Sequence, residues 1–165
     1  QLSQRDIARL STFDGLPAFV VSNANLGSVN QYGIELGINV LLMKNLTFSG
    51  NYSHYEFSVD KNANDPDILS NTSPDKFNLA LRYNNPGKYD ASLSLTYSRK
   101  FDWLAGTYIG DVPTYTVVNL SAGYNITKNL EAGIYIYNLF NEHHYEIFGG
   151  TYMPRYATGR LAFTF

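Results

Sequence analysis

The end of the chain alternates strictly between two kinds of residue. Ala157, Gly159, Leu161, Phe163 and Phe165 hold one set of positions, and Tyr156, Thr158, Arg160, Ala162 and Thr164 hold the other. Side chains of an extended strand point to opposite faces in turn, so one face is apolar and the other polar. The pattern returns every ~10–25 residues, which is the signature of a transmembrane β-barrel. A wall that is apolar outside and polar inside belongs in an outer membrane. Transport, pore formation or surface binding are then the expected activities.

Six further segments alternate in the same way: Gly33–Met43, Leu46–Ser53, Phe77–Tyr83, Tyr89–Ser98, Val118–Asn125 and Leu130–Tyr137. Leu2–Leu10 alternates poorly and is the weakest strand. The register predicts that Leu93, Leu95, Leu120, Ile134 and Phe163 face lipid, while Glu35, Asp90, Ser94 and Arg160 face the lumen. Slipping a strand by one residue would carry Glu35, Arg82 or Asp90 into hydrocarbon, at ~2–4 kcal/mol for a basic side chain at midplane. The connections alternate too. Lys44-Asn45, Asn84–Lys88 and Thr127–Asn129 are short, whereas Val59–Pro74, Asp102–Pro113 and Asn141–Pro154 are long and polar. Short periplasmic turns and long extracellular loops are the barrel habit. The fold expected is all-β: an antiparallel up-and-down transmembrane β-barrel segment of about eight strands. A soluble sandwich also alternates, but the loop-length pattern and the long Gly33–Met43 strand argue against it.

Composition agrees. The 165 residues suffice for one domain, and a net charge of -2 offers no nucleic acid a partner. Tyr occurs 14 times and Phe 10, which suits interfacial aromatic girdles. With no Cys there is no disulfide framework or thiolate site. The longest apolar run, Val40–Met43, is far short of the ~18 residues of a membrane helix. Gln1–Leu10 carries Arg5, Asp6 and Arg9 and has no apolar export signal. Because a barrel protein must be exported, the chain is expected to be mature or a fragment.

Toward the C-terminus the sequence resembles a known family. Asn138-Leu139-Phe140-Asn141, His144-Tyr145, Pro154-Arg155 and the closing Leu161–Phe165 strand resemble the end of TonB-dependent outer-membrane receptors. Tyr32-Gly33-Ile34-Glu35-Leu36, Ser73–Leu79 and Pro113–Leu120 are similar to further strand motifs of that family, and the likeness runs from about Asn23 onward. The resemblance implies a 22-stranded barrel filled by an N-terminal plug that carries a short TonB-contacting box. Residues 1–165 would then be the C-terminal portion of the barrel, lacking the plug and the N-terminal strands. The implied partners are outer-membrane lipid, the plug and remaining strands of the same receptor, the TonB complex through the absent N-terminal part, and the barrel-assembly machinery. The implied role is energised uptake of a scarce ligand such as an iron chelate, a vitamin or a glycan. Phe165 resembles the terminal aromatic that the assembly machinery reads.

Candidate site residues lie in the long loops. His143 and His144, flanked by Glu142 and Glu146, offer imidazoles for metal or haem contact, although neighbours on an extended chain point apart and suit joint ligation poorly. Trp103 and Tyr108, with Tyr115, are placed to stack on a ligand or to join the outer girdle. Asp60–Asp67 superficially resembles a calcium loop, but Asp65 and Asn71 stand where an EF-hand requires Gly and Glu. No resident metal or cofactor is expected. No nucleophilic triad or phosphate-binding loop stands out, so catalysis is not expected. The alternative is an autonomous eight-stranded outer-membrane protein with a structural or adhesive role. Its narrow lumen would call for bulky, paired inward groups, whereas the inward residues here are mostly Ser, Thr, Asn and Gly.

Overall fold

The computed structural model describes residues 2–60, 68–106 and 108–165, with the backbone alone described for 2–10, 13 and 19–27. Its strands are β1 (Leu2–Phe13), β2 (Leu16–Met43), β3 (Leu46–Asp60), β4 (Asp75–Asn85), β5 (Tyr89–Ser98), β6 (Phe101–Ala105), β7 (Tyr108–Val112), β8 (Tyr115–Asn125), β9 (Leu130–Tyr137) and β10 (Tyr156–Phe163). Eight of them form one antiparallel sheet in the order β1-β2-β3-β4-β5-β8-β9-β10, and β6 pairs with β7 in a separate hairpin. The long polar connection expected over Asp102–Pro113 thus holds most of a strand pair, which the alternation did not reveal. The lone run there is too short and too mixed for its pairing to show as alternation.

The ladder registers sort the side chains into two faces. Val40, Phe48, Leu81, Leu93, Leu120 and Ile136 lie opposite one another across six strands, followed by Ile38, Gly50, Leu79, Leu95 and Val118. Ile134, opposite Ala122, and Phe163, opposite Leu130, share this apolar face. The other face carries Asn39, Ser49, Ala80, Ser94 and Asn119 in one row. It also carries Glu35 opposite Ser53, and the row Asp90, Gly123, Gly133 and Arg160. The predicted lipid-facing and lumen-facing sets are thus separated as the alternation requires.

Aromatic rows bound the apolar band. Tyr52, Phe77 and Tyr97 stand in register at one end, with the Phe77 and Tyr97 rings stacked at 4.6 Å. Tyr83, Tyr89 and Tyr124 mark the other end, with Tyr83 and Tyr89 stacked at 5.6 Å. These are the girdles of a membrane wall. Tyr115, Trp103 and Tyr108 do not join them: Tyr115 points to the polar face, and the other two belong to the β6–β7 hairpin.

β2 is 28 residues long, roughly 90 Å at ~3.3 Å per residue. β1 pairs only with its first half, from Phe13↔Leu16 to Leu2↔Ser28, and β3 only with its second, from Ser28↔Asp60 to Met43↔Leu46. The β1–β2 hairpin therefore stands beyond the wall, at the long-loop end. It turns through Asp14 and Gly15, both at positive φ (51° and 78°), a two-residue Asp-Gly turn whose twist matches that of the strands. Over the lower half of β2 the edge away from β3 has no strand partner among the described residues, nor has the outer edge of β10, so the sheet is open.

Candidate functional site

Among the described residues, the side chains that are truly buried lie at the long-loop end of the wall. They are Val112 and Val117, with the polar Ser73, Ser98, Asn138 and His144. Asn138 ends the β9 side of the 138–155 loop and sits at positive φ (52°), as does Asn141 (57°), a conformation Asn tolerates better than most residues. The Asn138 amide nitrogen donates to the carbonyls of Glu142 (2.8 Å) and Met153 (3.0 Å), and its Oδ1 accepts from the Glu142 amide (2.7 Å). Its own backbone N–H donates to Asn119 Oδ1 at 3.0 Å. One side chain of no measurable exposure thus closes the loop on itself, and the same residue's backbone ties the loop to β8.

His144 follows from that closure. It is 4% exposed, on the lumenal side, with its ring 4.9 Å from Tyr115 and 6.4 Å from Tyr137. Its Nδ1 lies 3.1 Å from the Glu142 carbonyl and its Nε2 3.3 Å from the Tyr137 hydroxyl, which donates to Glu146 Oε1 at 3.1 Å. His143 points the other way, exposed, and stacks on Tyr152 at 3.7 Å. Ser98, opposite Tyr115, is buried with its Oγ lacking a hydrogen-bond partner among the described residues.

The β6–β7 hairpin packs on this loop. Trp103 and Gly110 are cross-strand partners, and a Cβ on Gly110 would collide with the Phe148 ring, so the glycine is the socket for Phe148. The Tyr145 hydroxyl donates to the Asp111 carbonyl at 3.2 Å. On the hairpin's other flank Asn71 substitutes for a strand: it accepts from the Leu104 amide (2.7 Å) and donates to the Leu104 carbonyl (2.8 Å). Beside the hairpin a hollow of about 410 Å³ is lined by Tyr55, Phe57, Leu69, Lys100 and Phe101 among others. Trp103 reaches its margin through Phe101, 6.0 Å away ring to ring. Trp103, His143 and His144 are thus gathered at one mouth, while Tyr108, at the hairpin tip, projects from it. The sequence motif Asn138–Asn141 carried the signal for the loop closure. Phe148 gave none, since its partner Gly110 is distant in sequence, and Tyr152 gave none, since its stacking on His143 follows no strand period.

A second polar group lies on the outward face beyond the Tyr52–Phe77–Tyr97 row. Asp75 Oδ1 accepts from the Tyr52 hydroxyl (2.7 Å) and meets His54 Nδ1 (2.8 Å), while Oδ2 accepts from Arg99 (2.9 Å). Tyr52, then Arg99 and His54, hold the Asp75 carboxyl well below the usual carboxylate range. The same Asp75 contact raises His54 above the ordinary imidazole value, against its desolvation. Glu56, 3.5 Å from His54 Nε2 and hydrogen-bonded by Tyr32, is lowered by Tyr32 first and His54 second.

Among the described residues no group of three or more His, Cys, Asp or Glu side chains converges to hold a metal ion. No helix there is long and apolar enough to cross a membrane, which leaves crossing by strands untouched. Residues 61–67, most of the Asp60–Asp67 run, lie outside the described residues.

Residues 4–139 match the family described as "TonB dependent receptor-like, beta-barrel". The fold is similar to the pyoverdine outer membrane receptor FpvA from Pseudomonas aeruginosa PAO1, with a TM-score of 0.70 at 18% identity over 98% of this chain and 25% of that one. It is also similar to the siderophore receptor PiuA from Acinetobacter baumannii (TM-score 0.68, 20% identity, 86% of this chain and 23% of that). The copper transporter OprC matches with a TM-score of 0.68 and 18% identity, over 97% of this chain and 27% of that. The chain spans about a quarter of the length of these structures. The match to the family covers most of the chain, and the apolar and polar faces fall as an outer-membrane wall demands. The chain belongs to the TonB-dependent receptor β-barrels of the Gram-negative outer membrane.

Proposed function

We propose that residues 1–165 are the C-terminal part of a larger receptor barrel that takes up a scarce ligand, a metal chelate first among the candidates, with energy delivered through TonB. The open sheet carries this reading. Unpaired backbone N–H and C=O groups cannot face hydrocarbon, and two edges are unpaired among the described residues within the apolar band: that of the lower half of β2 away from β3, and the outer edge of β10. They call for neighbouring strands. The lumenal rows of Ser, Thr, Asn and Gly suit a wide barrel that meets a plug or water. FpvA, PiuA and OprC are named for pyoverdine, siderophore and copper, which supports a metal chelate as the cargo class. The mouth offers such a ligand the Tyr55–Phe57–Phe101 hollow with Lys100, and Trp103 beside Phe101. The remaining partners are the plug, the TonB complex and the barrel-assembly machinery.

The test uses the full-length receptor in cells starved of iron or copper. Growth on one class of supplied chelate, lost when the receptor gene is deleted and weakened by Trp103→Ala, is the expected outcome. The competing reading, an autonomous eight-stranded protein, predicts something else. The isolated 165-residue chain would then migrate as a compact, heat-modifiable monomer.

A further inference from the structure

We propose that the lipid-facing wall holds a seat for one acyl chain of an outer-leaflet lipid with a phosphorylated headgroup, built around Gly50. The outward residues of β3 run Leu46, Phe48, Gly50, Tyr52, His54, Glu56, and Gly50 is the position with no side chain. Its ladder neighbours are Ile38 on β2 and Leu79 on β4, and the next row toward the long loops is Leu36, Tyr52 and Phe77. A Cβ at Gly50 would meet Leu79 Cδ2 at 3.1 Å and Ile38 Cγ2 and Phe48 Cζ at 3.5 Å, so these side chains lean over the bare position. Between the two rows they leave a groove of about 350 Å³, lined by Leu36, Ile38, Gly50, Tyr52, Phe77 and Leu79 among others.

The groove is continuous with the hydrocarbon-facing wall, and its side-chain walls are apolar apart from the Tyr52 hydroxyl. Water gains nothing there, because it needs two or more polar partners. A void left unfilled forfeits dispersion contacts along its lining. A methylene chain, slim and flexible, is the matter at that depth able to fill it. The upper end of the groove supplies the second half of the match. Tyr52, which lines it, donates to Asp75, and Asp75 holds Arg99 through Nη1 at 2.9 Å. The Arg99 side chain is 60% exposed, and a guanidinium has five N–H donors in a fixed fork, suited to phosphate oxygens. A chain seat and a headgroup donor thus lie in line, one above the other, at the aromatic row where headgroups begin. Annular lipid on the Phe48–Leu81–Leu93–Leu120 row meets a large apolar side chain on every strand and exchanges freely. A chain in this groove is held at both ends.

The experiment takes the full-length receptor in nanodiscs containing phosphatidylglycerol with a diazirine in its acyl chain. After illumination, cross-links are mapped by peptide mass spectrometry. Labelling concentrated on the peptides around Leu36–Ile38, Gly50–Tyr52 and Phe77–Leu79 is expected. Gly50→Leu, which fills the groove, should lower it about tenfold, and Arg99→Gln several-fold, with labelling of the Leu93–Leu120 row unchanged. Gly50→Ala meets only flexible side-chain ends, so it serves as the milder variant if Gly50→Leu fails to fold; it should give a partial loss. Even labelling along the wall overturns the proposal, as does concentrated labelling that no variant changes, or cross-linking of one receptor to another through this face. The outward-face assignment is the only part of the uptake reading on which this depends. Ligand uptake should survive Gly50→Leu, so loss of the lipid seat and failure of the transport reading register separately.

Discussion

Leu93 and Val117 sit on neighbouring strands of one sheet, yet they live by different physics. Leu93 is half exposed with no protein over it, in a row that continues through Leu81, Leu120 and Ile136. Val117 is sealed at 2% exposure. The first belongs to the wall, where the backbone ladder supplies the order and lipid supplies the apolar environment. The second belongs to the mouth, where the 138–155 loop and the β6–β7 hairpin fold over the lumenal face and form a water-excluding core. That core is built on polar side chains, Asn138 and His144, whose hydrogen bonds are nearly all accounted for. The wall tolerates exchange among apolar residues because lipid conforms to any of them. The mouth does not, because Asn138 and His144 have partners to lose.

Substitutions should divide along this line. The largest effect is expected in the wall: Leu93→Arg should cost ~2–4 kcal/mol of folding free energy in a bilayer, whereas Ser94→Arg, one residue away on the lumenal face, should cost little. Equal losses in a urea titration of the refolded receptor would break the two-face assignment. At the mouth, Asn138→Leu leaves the Glu142 and Met153 backbone groups unpaired and should cost ~2–3 kcal/mol. The loss should show as protease cleavage within 139–155, with the wall's heat-modifiable migration retained. Cleavage no faster than in the parent would mean that the loop does not depend on this side chain.

A smaller effect lies at the boundary of the two regions. His54 is raised in the fold, so its contact with Asp75 contributes fully below the ordinary imidazole pKa of ~6.5 and fades as pH rises through the raised value. Asp75 is lowered, so its share is present above ~3.9 and fades as pH falls through the lowered value. Hydrogen-exchange protection of the Tyr55 amide, bonded to the Pro74 carbonyl at 2.8 Å, should therefore be greatest between these limits. His54→Gln should remove the alkaline fall alone. The smallest effect on folded stability is expected for deletion of Phe165, which lies past the end of β10 with its ring 5.7 Å from Phe163. Thr164 is tied to Asn129 by two hydrogen bonds, of 2.9 and 2.6 Å, so the strand end should hold without it. Surface abundance of the receptor should nevertheless drop sharply, with ligand affinity per assembled receptor unchanged. Normal abundance would remove the assembly role from Phe165.

The wall was legible in the sequence because its rule is local. Tyr89–Ser98 and Leu130–Tyr137 could be bounded to the residue, since alternation needs only neighbours along one strand. β2 was under-read: its first half pairs with β1 and lies outside the apolar band, so alternation fades there, although Asp14-Gly15 marks the hairpin. The mouth was mostly illegible. That His143 and His144 diverge follows from backbone geometry, but that His144 is the buried one depends on Tyr115 and Tyr137, and the Phe148 socket depends on Gly110, far away in the chain. Long-range packing of this kind has no period to read.

Ser28 is the residue at which β2 changes partners, facing Leu2 on one side and Asp60 on the other. The molecule is in this sense two storeys sharing one continuous beam. Because strand side chains repeat every two residues, the upper storey can gain or lose matched residue pairs around Asp14-Gly15 without turning a single wall residue from lipid to lumen. Its reach into the surroundings is thus an adjustable length, decoupled from the fixed thickness of the membrane below.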